Sequence, residues 1–242
     1  MKKKIVALCL CVALAVVAIG GATLAYFTDT DKADNVFTTG KVDITLEENF
    51  EQNAKLLPVT GSAQQGTLKN GVNKEIAVKV EAGSENTYVR VHIAIPSVLD
   101  DGDPSFAAKD NVLHFNYDPN SIGEGKWDWS KTTGAPYEGN WNYYETTIDG
   151  IKYNVYVVTY GTALKAGETT SDYAMHQVYL DSKVTSADME MIDTALNGKW
   201  QIKVIAEGCQ AAGFSDAYAA LNASFGVPGN YVPAAWASAT GE

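Results

Sequence analysis

The sequence is short of cysteine. Three of its 242 residues are cysteines, and Cys9 and Cys11 lie in the apolar N-terminal segment. Once that segment is removed, Cys209 is alone and no intramolecular disulfide can form. A small disulfide-stapled scaffold is therefore excluded, and the fold must depend on a hydrophobic core, which a chain of this length can build.

The sequence also lacks the common catalytic motifs. Its three histidines are His92, His114 and His176, none of them in an HExxH arrangement, and GxSxG, P-loop and GxGxxG patterns are missing. We therefore expect no enzyme, although a zinc site built from dispersed residues would leave no such pattern. His92 alternates with apolar residues, which predicts the outward face of its strand. Cys209 has no histidine near it in sequence, so we expect a buried, inert thiol.

Positive charge is scarce as well. Eighteen lysines and arginines face 29 acidic residues, and the net charge is −11. Such a surface repels nucleic acid and anionic membranes, so we expect neither as a partner. The 13 tyrosines and five tryptophans argue against a disordered acidic chain.

The N-terminal segment has the pattern of a secretory signal peptide. Three lysines precede an apolar run over residues 5–19, and small residues follow, with Thr23 and Ala25 at the two positions that signal peptidases read. Cleavage after Ala25 would make residues 1–25 the signal peptide and Tyr26 the new N-terminus. The run is shorter than a spanning helix needs, which disfavours the alternative of a retained anchor. We expect a secreted protein.

Hydrophobic periodicity after the signal peptide is mostly that of strands. Alternation over residues 76–80 and 89–95, separated by the turn-forming residues 81–86, predicts two neighbours in one antiparallel sheet. Asp149-Gly150 predicts a tight hairpin between residues 143–147 and 151–160. Further strands are predicted at residues 41–46, 176–180 and 200–204.

Two segments have helical signals. Residues 186–198 begin with Ser186 as a cap, and residues 215–226 begin with Ser215. Many short strands with two inserted helices predict an all-β fold, a jelly-roll-like antiparallel β-sandwich. We expect a single domain over residues 41–242, with long loops at about residues 100–140 on one side of it.

The loop region contains the candidate ligand sites. Asp100, Asp101 and Asp103 flank a glycine, and three carboxylates in a flexible turn suit calcium. The complete twelve-residue loop with a terminal glutamate is missing, which favours a solvated acidic turn over a calcium site. No other cofactor is indicated. Trp127, Trp129 and Trp141 could stack on a carbohydrate, but large aromatic residues are usually buried, so we expect them to pack loops onto the sheet.

The residues around the cleavage site resemble the TasA/camelysin family of Gram-positive bacteria. The resemblance lies in GATLA followed by YFTDTDKADNVFTTGKVDITLEE, where an aromatic residue, an acid, a polar residue, a second aromatic and a glycine precede a strand. Later segments are also similar: TYVRVHI at 87–93, LKAGETT at 164–170 and IKVIAEGCQAAGF at 202–214. The positions that match the N-terminal pattern are Phe27, Asp29, Asn35, Phe37 and Gly40.

The resemblance implies a function. Family members are jelly-roll proteins cut by a signal peptidase of the SipW type, and TasA assembles into biofilm matrix fibres. By this resemblance, residues 26–40 are an N-terminal arm that completes the sheet of the next subunit after cleavage, with Phe27 and Phe37 as anchors. The partners would be further copies of the chain and an accessory matrix or cell-wall protein. Camelysins are described as metalloproteases, so a secreted metalloprotease is the alternative, and a monomeric surface-binding module is a third possibility.

Overall fold

Two β-sheets account for most of the protein, seen in a computed structural model that describes residues 41–51, 54–59, 68–100, 111–117, 120–129 and 143–237. These residues belong to one compact unit, residues 40–242. In chain order the strands are β1 (Ile44–Phe50), β2 (Pro58–Val59), β3 (Val72–Val80), β4 (Thr87–Pro96), β5 (Leu113–Asn116), β6 (Trp127–Asp128), β7 (Tyr143–Ile148), β8 (Ile151–Tyr160), β9 (Gln177–Asp181) and β10 (Lys203–Gln210). The helices are α1 (Ser97–Asp100), α2 (Ser186–Leu196), α3 (Ala217–Phe225) and α4 (Ala234–Ala237).

The two sheets are formed by strands that are distant in sequence. The first has the order β1-β3-β9-β2, with β5 also on β9, and the second has the order β10-β4-β8-β6, with β7 also on β8. All pairs are antiparallel except β2 with β9. This arrangement confirms the predicted all-β antiparallel sandwich.

One predicted pairing is wrong. The segments at 76–80 and 89–95 are strands, but β3 pairs with β1 and β9 while β4 pairs with β10 and β8 in the opposite sheet. The turn at 81–86 is used differently, because the N–H groups of Glu81 and Glu85 donate to the carbonyls of Asp43 and Lys41. Periodicity identifies the buried face of each strand, and here the two faces meet across the core.

The core lies between the sheets. Val78, Val91, Ile93 and Val155 are fully buried, and the cluster around them draws on both sheets. Trp127 and Trp129 also belong to it, with 0% and 1% of their surface exposed. This confirms the prediction that these two aromatics pack onto the sheet, whereas Trp141 lies outside the described residues.

The local signals of the turns and helices are close to their predicted positions. Asp149 and Gly150 both have positive φ, 53° and 79°, as a two-residue hairpin of this type requires. Thr185 rather than Ser186 caps α2, because its side chain and that of Asp188 form a capping box. Asp216, rather than the preceding serine, caps α3. Among the described residues, no helix is long and apolar enough to cross a bilayer.

Helix α3 covers the outer face of the second sheet. Its buried residues Ala217, Ala220 and Leu221 pack around Cys209 of β10, which confirms the prediction of a buried thiol. Burial raises the pKa of this thiol, which further reduces its reactivity. The outer face of this sheet is therefore a second, smaller buried layer rather than a solvated surface.

Candidate functional site

The edge strands β1 and β10 approach each other at one end, and a groove lies at the other. Both stand at the end of the strand order in their sheets. They touch at Gly208, where a Cβ atom would come within 3.0 Å of the Ile44 side chain, so glycine allows the two edges to close. At the other ends of these strands, Phe50 and Lys203 line a groove of about 370 Å³.

The groove has mainly apolar walls. Its volume is in the usual range for binding pockets, and the exposed fraction of Phe50 at its rim is 45%. Trp200 and Ile202, which precede β10, form part of one side. The remaining apolar walls come from the first sheet and from segments between strands: Ala54, Leu56, Val72, Leu99, Leu113 and Val178.

An ion pair lies among these apolar residues. Lys74 lines the groove with 6% of its surface exposed, and its ammonium group pairs with the carboxylate of Glu48. The same ammonium lies 5.2 Å from the centre of the Phe50 ring. Glu48 follows Ile44 and Leu46 in the two-residue alternation of β1, and those two residues pack against the core. The pair thus occupies positions where strand alternation would place apolar side chains.

The chain enters β1 at the end opposite the groove. The carbonyl oxygens of Lys41 and Asp43 accept hydrogen bonds from the N–H groups of Glu85 and Glu81, both at 2.9 Å. These bonds continue the pairing of β1 with β3 beyond the first residue of the strand. Lys41 therefore lies at one end of the sandwich, and the groove lies at the other.

A second cluster is charged and buried. Arg90, the one arginine of the chain, lies on β4 directly opposite Glu207 of β10 and is 2% exposed. Its Nε donates to Glu207 at 2.7 Å. Its terminal nitrogens donate to Asn222 of α3 at 2.9 Å and, beyond that helix, to the Gly226 carbonyl at 3.1 Å and the Tyr231 hydroxyl at 2.8 Å. One guanidinium group thus joins two strands, a helix and the C-terminal segment.

His92 completes this cluster. It lies on the outward face of β4 as predicted, but none of its surface is exposed, because α3 and the residues after it cover that face. Its Nε2 lies 3.1 Å from Glu207 and its Nδ1 lies 3.1 Å from the Tyr144 hydroxyl. Burial lowers the pKa of His92, and Glu207 only partly opposes this effect.

Glu207 is held as an anion. Burial alone would raise its pKa, but His92, the Tyr231 hydroxyl and Arg90 together lower it to about 2. Burial raises the pKa of Tyr144 to about 12, so that hydroxyl stays protonated. The cluster suits a structural connection, since substrate cannot reach these groups while the C-terminal segment covers them. Sequence reasoning missed it because its members are up to 141 residues apart.

The other two histidines lie apart from this cluster. His114 Nε2 is 2.9 Å from an oxygen of Asp181, and His176 Nδ1 is 3.4 Å from an oxygen of Glu75. Within the described ranges, no group of three or more histidine, cysteine or acidic side chains is arranged to hold a metal ion. The dispersed zinc site that the sequence left open is not assembled by these residues.

The remaining predicted site residues are mostly outside the described ranges. Asp100 is described: it ends α1, is 3% exposed, and one of its oxygens accepts hydrogen bonds from Asn154 and Tyr156 at 2.8 and 2.7 Å. That oxygen already has two donors, and calcium binding stays a prediction. The predicted residues outside the described part of the chain are Thr23, Ala25, Tyr26, Phe27, Asp29, Asn35, Phe37, Gly40, Asp101 and Asp103.

The N-terminal part of the chain matches a known protein family. Residues 1–70 match the family described as camelysin metallo-endopeptidase. No curated protein and no solved structure matches the chain. The family description implies a metal, but the described residues do not fit a catalytic metal centre, because no three of their histidine, cysteine and acidic side chains are grouped to hold an ion. Over residues 1–70, the chain is therefore similar to the camelysin family.

Proposed function

We propose that this protein is a secreted structural subunit of extracellular matrix fibres. The signal peptide is removed after Ala25, and the freed arm, residues 26–40, completes the sandwich of the next subunit. The family match over residues 1–70 supports the ancestry of this arm. The partners are further copies of the chain, with an accessory matrix or wall protein as a possible attachment.

The observation that carries this proposal is the polarity of β1. The arm joins the chain at the Lys41 end, whereas the groove lies near Phe50 at the other end. A strand of this length spans about 23 Å, so the point where the arm joins β1 and the groove lie at opposite ends of the strand. A contact between the arm of one copy and the groove of the next is head-to-tail, and such a contact propagates as an open filament.

The edges of the sheets suit this role. An unpaired strand edge can accept an extended segment through main-chain hydrogen bonds, while alternate side chains fill pockets. β10 is the edge of its sheet, and its residues Val204, Ile205 and Ala206 are only partly buried. An added strand beside β10 would cover them and close the groove.

The experiment compares two purified chains. One begins at Tyr26, and the other has the same sequence with a short Gly-Ser extension ahead of Tyr26. We expect filaments in electron micrographs of the first chain and fewer or none from the second. If the chain with its native N-terminus stays monomeric at high concentration, the fibre proposal fails.

The second candidate is a metallo-endopeptidase, which the family description favours. The same preparation tests it through hydrolysis of casein with and without a chelator. Chelator-sensitive hydrolysis that persists after purification to homogeneity would support the enzyme. If monomeric protein shows such hydrolysis, a metallo-endopeptidase is a better-supported function than a fibre subunit.

A further inference from the structure

We propose that Lys74 is the recognition residue of the groove, and that it binds Asp29 of a neighbouring copy in place of its own Glu48 while Phe27 of that copy fills the groove. This inference rests on the proposed function. It adds the residues through which one copy recognises the next.

Lys74 and Glu48 differ in how far their side chains are exposed to water. The Lys74 side chain is 8% exposed, so a charge there needs a partner on the groove side. The Glu48 side chain is 33% exposed and lies on an edge strand, so it can turn into water. Another carboxylate can therefore replace Glu48 without leaving a buried charge unpaired.

The charge of the arm is complementary to the groove. Residues 26–40 contain three aspartates and one lysine, whereas two lysines, Lys74 and Lys203, line the groove. Each lysine is paired within its own copy, Lys74 with Glu48 and Lys203 with Asp149 at 2.8 Å, so an incoming carboxylate must replace one of these partners. The described residues that line the groove include no acidic side chain, although the protein as a whole carries a net charge of −11. Complementary charges of this kind select the partner and fix its register.

The spacing within the arm identifies the acid. Side chains two residues apart lie on one face of an extended strand. Phe27 is the arm's one aromatic residue with an acid two positions away, Asp29, whereas Phe37 has Asn35 and Thr39 at those positions. An extended arm that places Phe27 against the apolar walls therefore directs Asp29 towards the same side of the groove, where the Lys74 ammonium lies.

The first experiment locates the arm by cross-linking. Phe27→Cys and Ile202→Cys are made separately in chains that begin at residue 26, in which Cys209→Ser removes the native thiol. Mixed under mild oxidation, the two chains should form a disulfide-linked dimer. Phe27→Cys mixed with Ser215→Cys, an exposed position near the other end of β10, should form little.

The second experiment is a double-mutant cycle on filament formation. Asp29→Asn and Lys74→Met should each raise the critical concentration about tenfold or more. The double variant should have a critical concentration no higher than that of either single variant, because both changes remove the same contact. The matched controls are Asp34→Asn on the other face of the arm and Lys79→Met, whose lysine pairs with Glu81 at the far end of β3. Both should assemble nearly as the unaltered chain does. Circular dichroism confirms that Lys74→Met remains folded.

The outcomes separate the two proposals. If the unaltered chain forms filaments while Asp29→Asn assembles equally well, the recognition pair is wrong and the fibre proposal stands. An equal rise in the critical concentration for Lys74→Met and Lys79→Met would also overturn the recognition pair. A disulfide formed within a single chain that carries both Phe27→Cys and Ile202→Cys, at dilutions where no dimer forms, would show that the arm binds its own groove and would overturn exchange. If the unaltered chain forms no filaments, the fibre proposal itself fails.

Discussion

Replacing Arg90 with methionine should remove a large part of the stability of this protein. The change keeps the length of the side chain but deletes four hydrogen bonds, to Glu207, Asn222, Gly226 and Tyr231. It also leaves Glu207 without its arginine partner. Removal of one member of a buried ion pair typically costs about 3–5 kcal/mol.

That magnitude is a large share of the free energy of unfolding, which is about 5–15 kcal/mol for most domains. Urea denaturation of the purified chain, followed by tryptophan fluorescence, measures it directly. Lys79→Met is the matched control, because the Lys79–Glu81 pair is about one-third exposed on both sides and should contribute about 1 kcal/mol or less.

The double variant Arg90→Met/Glu207→Leu separates the cause. If the unpaired charge of Glu207 is the main cost, removal of both charges should recover part of the loss. A loss below about 1 kcal/mol for Arg90→Met would refute the idea that the cluster connects the C-terminal segment to the sheet. If Arg90→Met does not fold, Glu207→Gln provides the same comparison with a smaller change.

Three further predictions follow from the same regions. The pKa of His92 is lower in the folded state than its usual 6.5, so the unfolded chain gains the proton first as pH falls. The free energy of unfolding from urea titrations should therefore fall as pH drops below 6.5, by up to about 1.4 kcal/mol per pH unit, and by less in His92→Gln. Gly208→Val should lower the thermal midpoint, since overpacking against Ile44 costs about 1–3 kcal/mol; an unchanged midpoint would mean that the two edges do not close there. Trp236→Ala should lower the free energy of unfolding by about 3 kcal/mol, because Trp236 is 5% exposed and packs on the core. It should also make the C-terminal segment sensitive to limited proteolysis, and protection equal to that of the unaltered chain would contradict this.

The hairpin at Asp149-Gly150 could be predicted because its information is local. Two residues with positive φ determine a tight turn, and the strands on each side follow from it. The sheet that contains β3 could not be derived in the same way. Alternation specifies which face of a strand is buried, but its partners, β1 and β9, depend on pairings that no local pattern encodes.

His92 shows the same limit at the level of a side chain. Its alternation on β4 predicts the outward face, and that is where it lies. Its burial depends on α3 and the residues up to Trp236, which pack over that face. The groove was equally hidden from the sequence, because its walls come from both sheets and the segments between them.

The four bonds of Arg90 determine when folding can be completed. The partners of this arginine follow it by 117 to 141 residues. A chain is made from its N-terminus, so β4 must wait, with its charge unpaired, until the residues up to Tyr231 have emerged. Contacts of such long range slow folding. Residues made long after β4 thus complete the second sheet, and a chain that ends before Glu207 would leave the Arg90 guanidinium group without a carboxylate on the neighbouring strand.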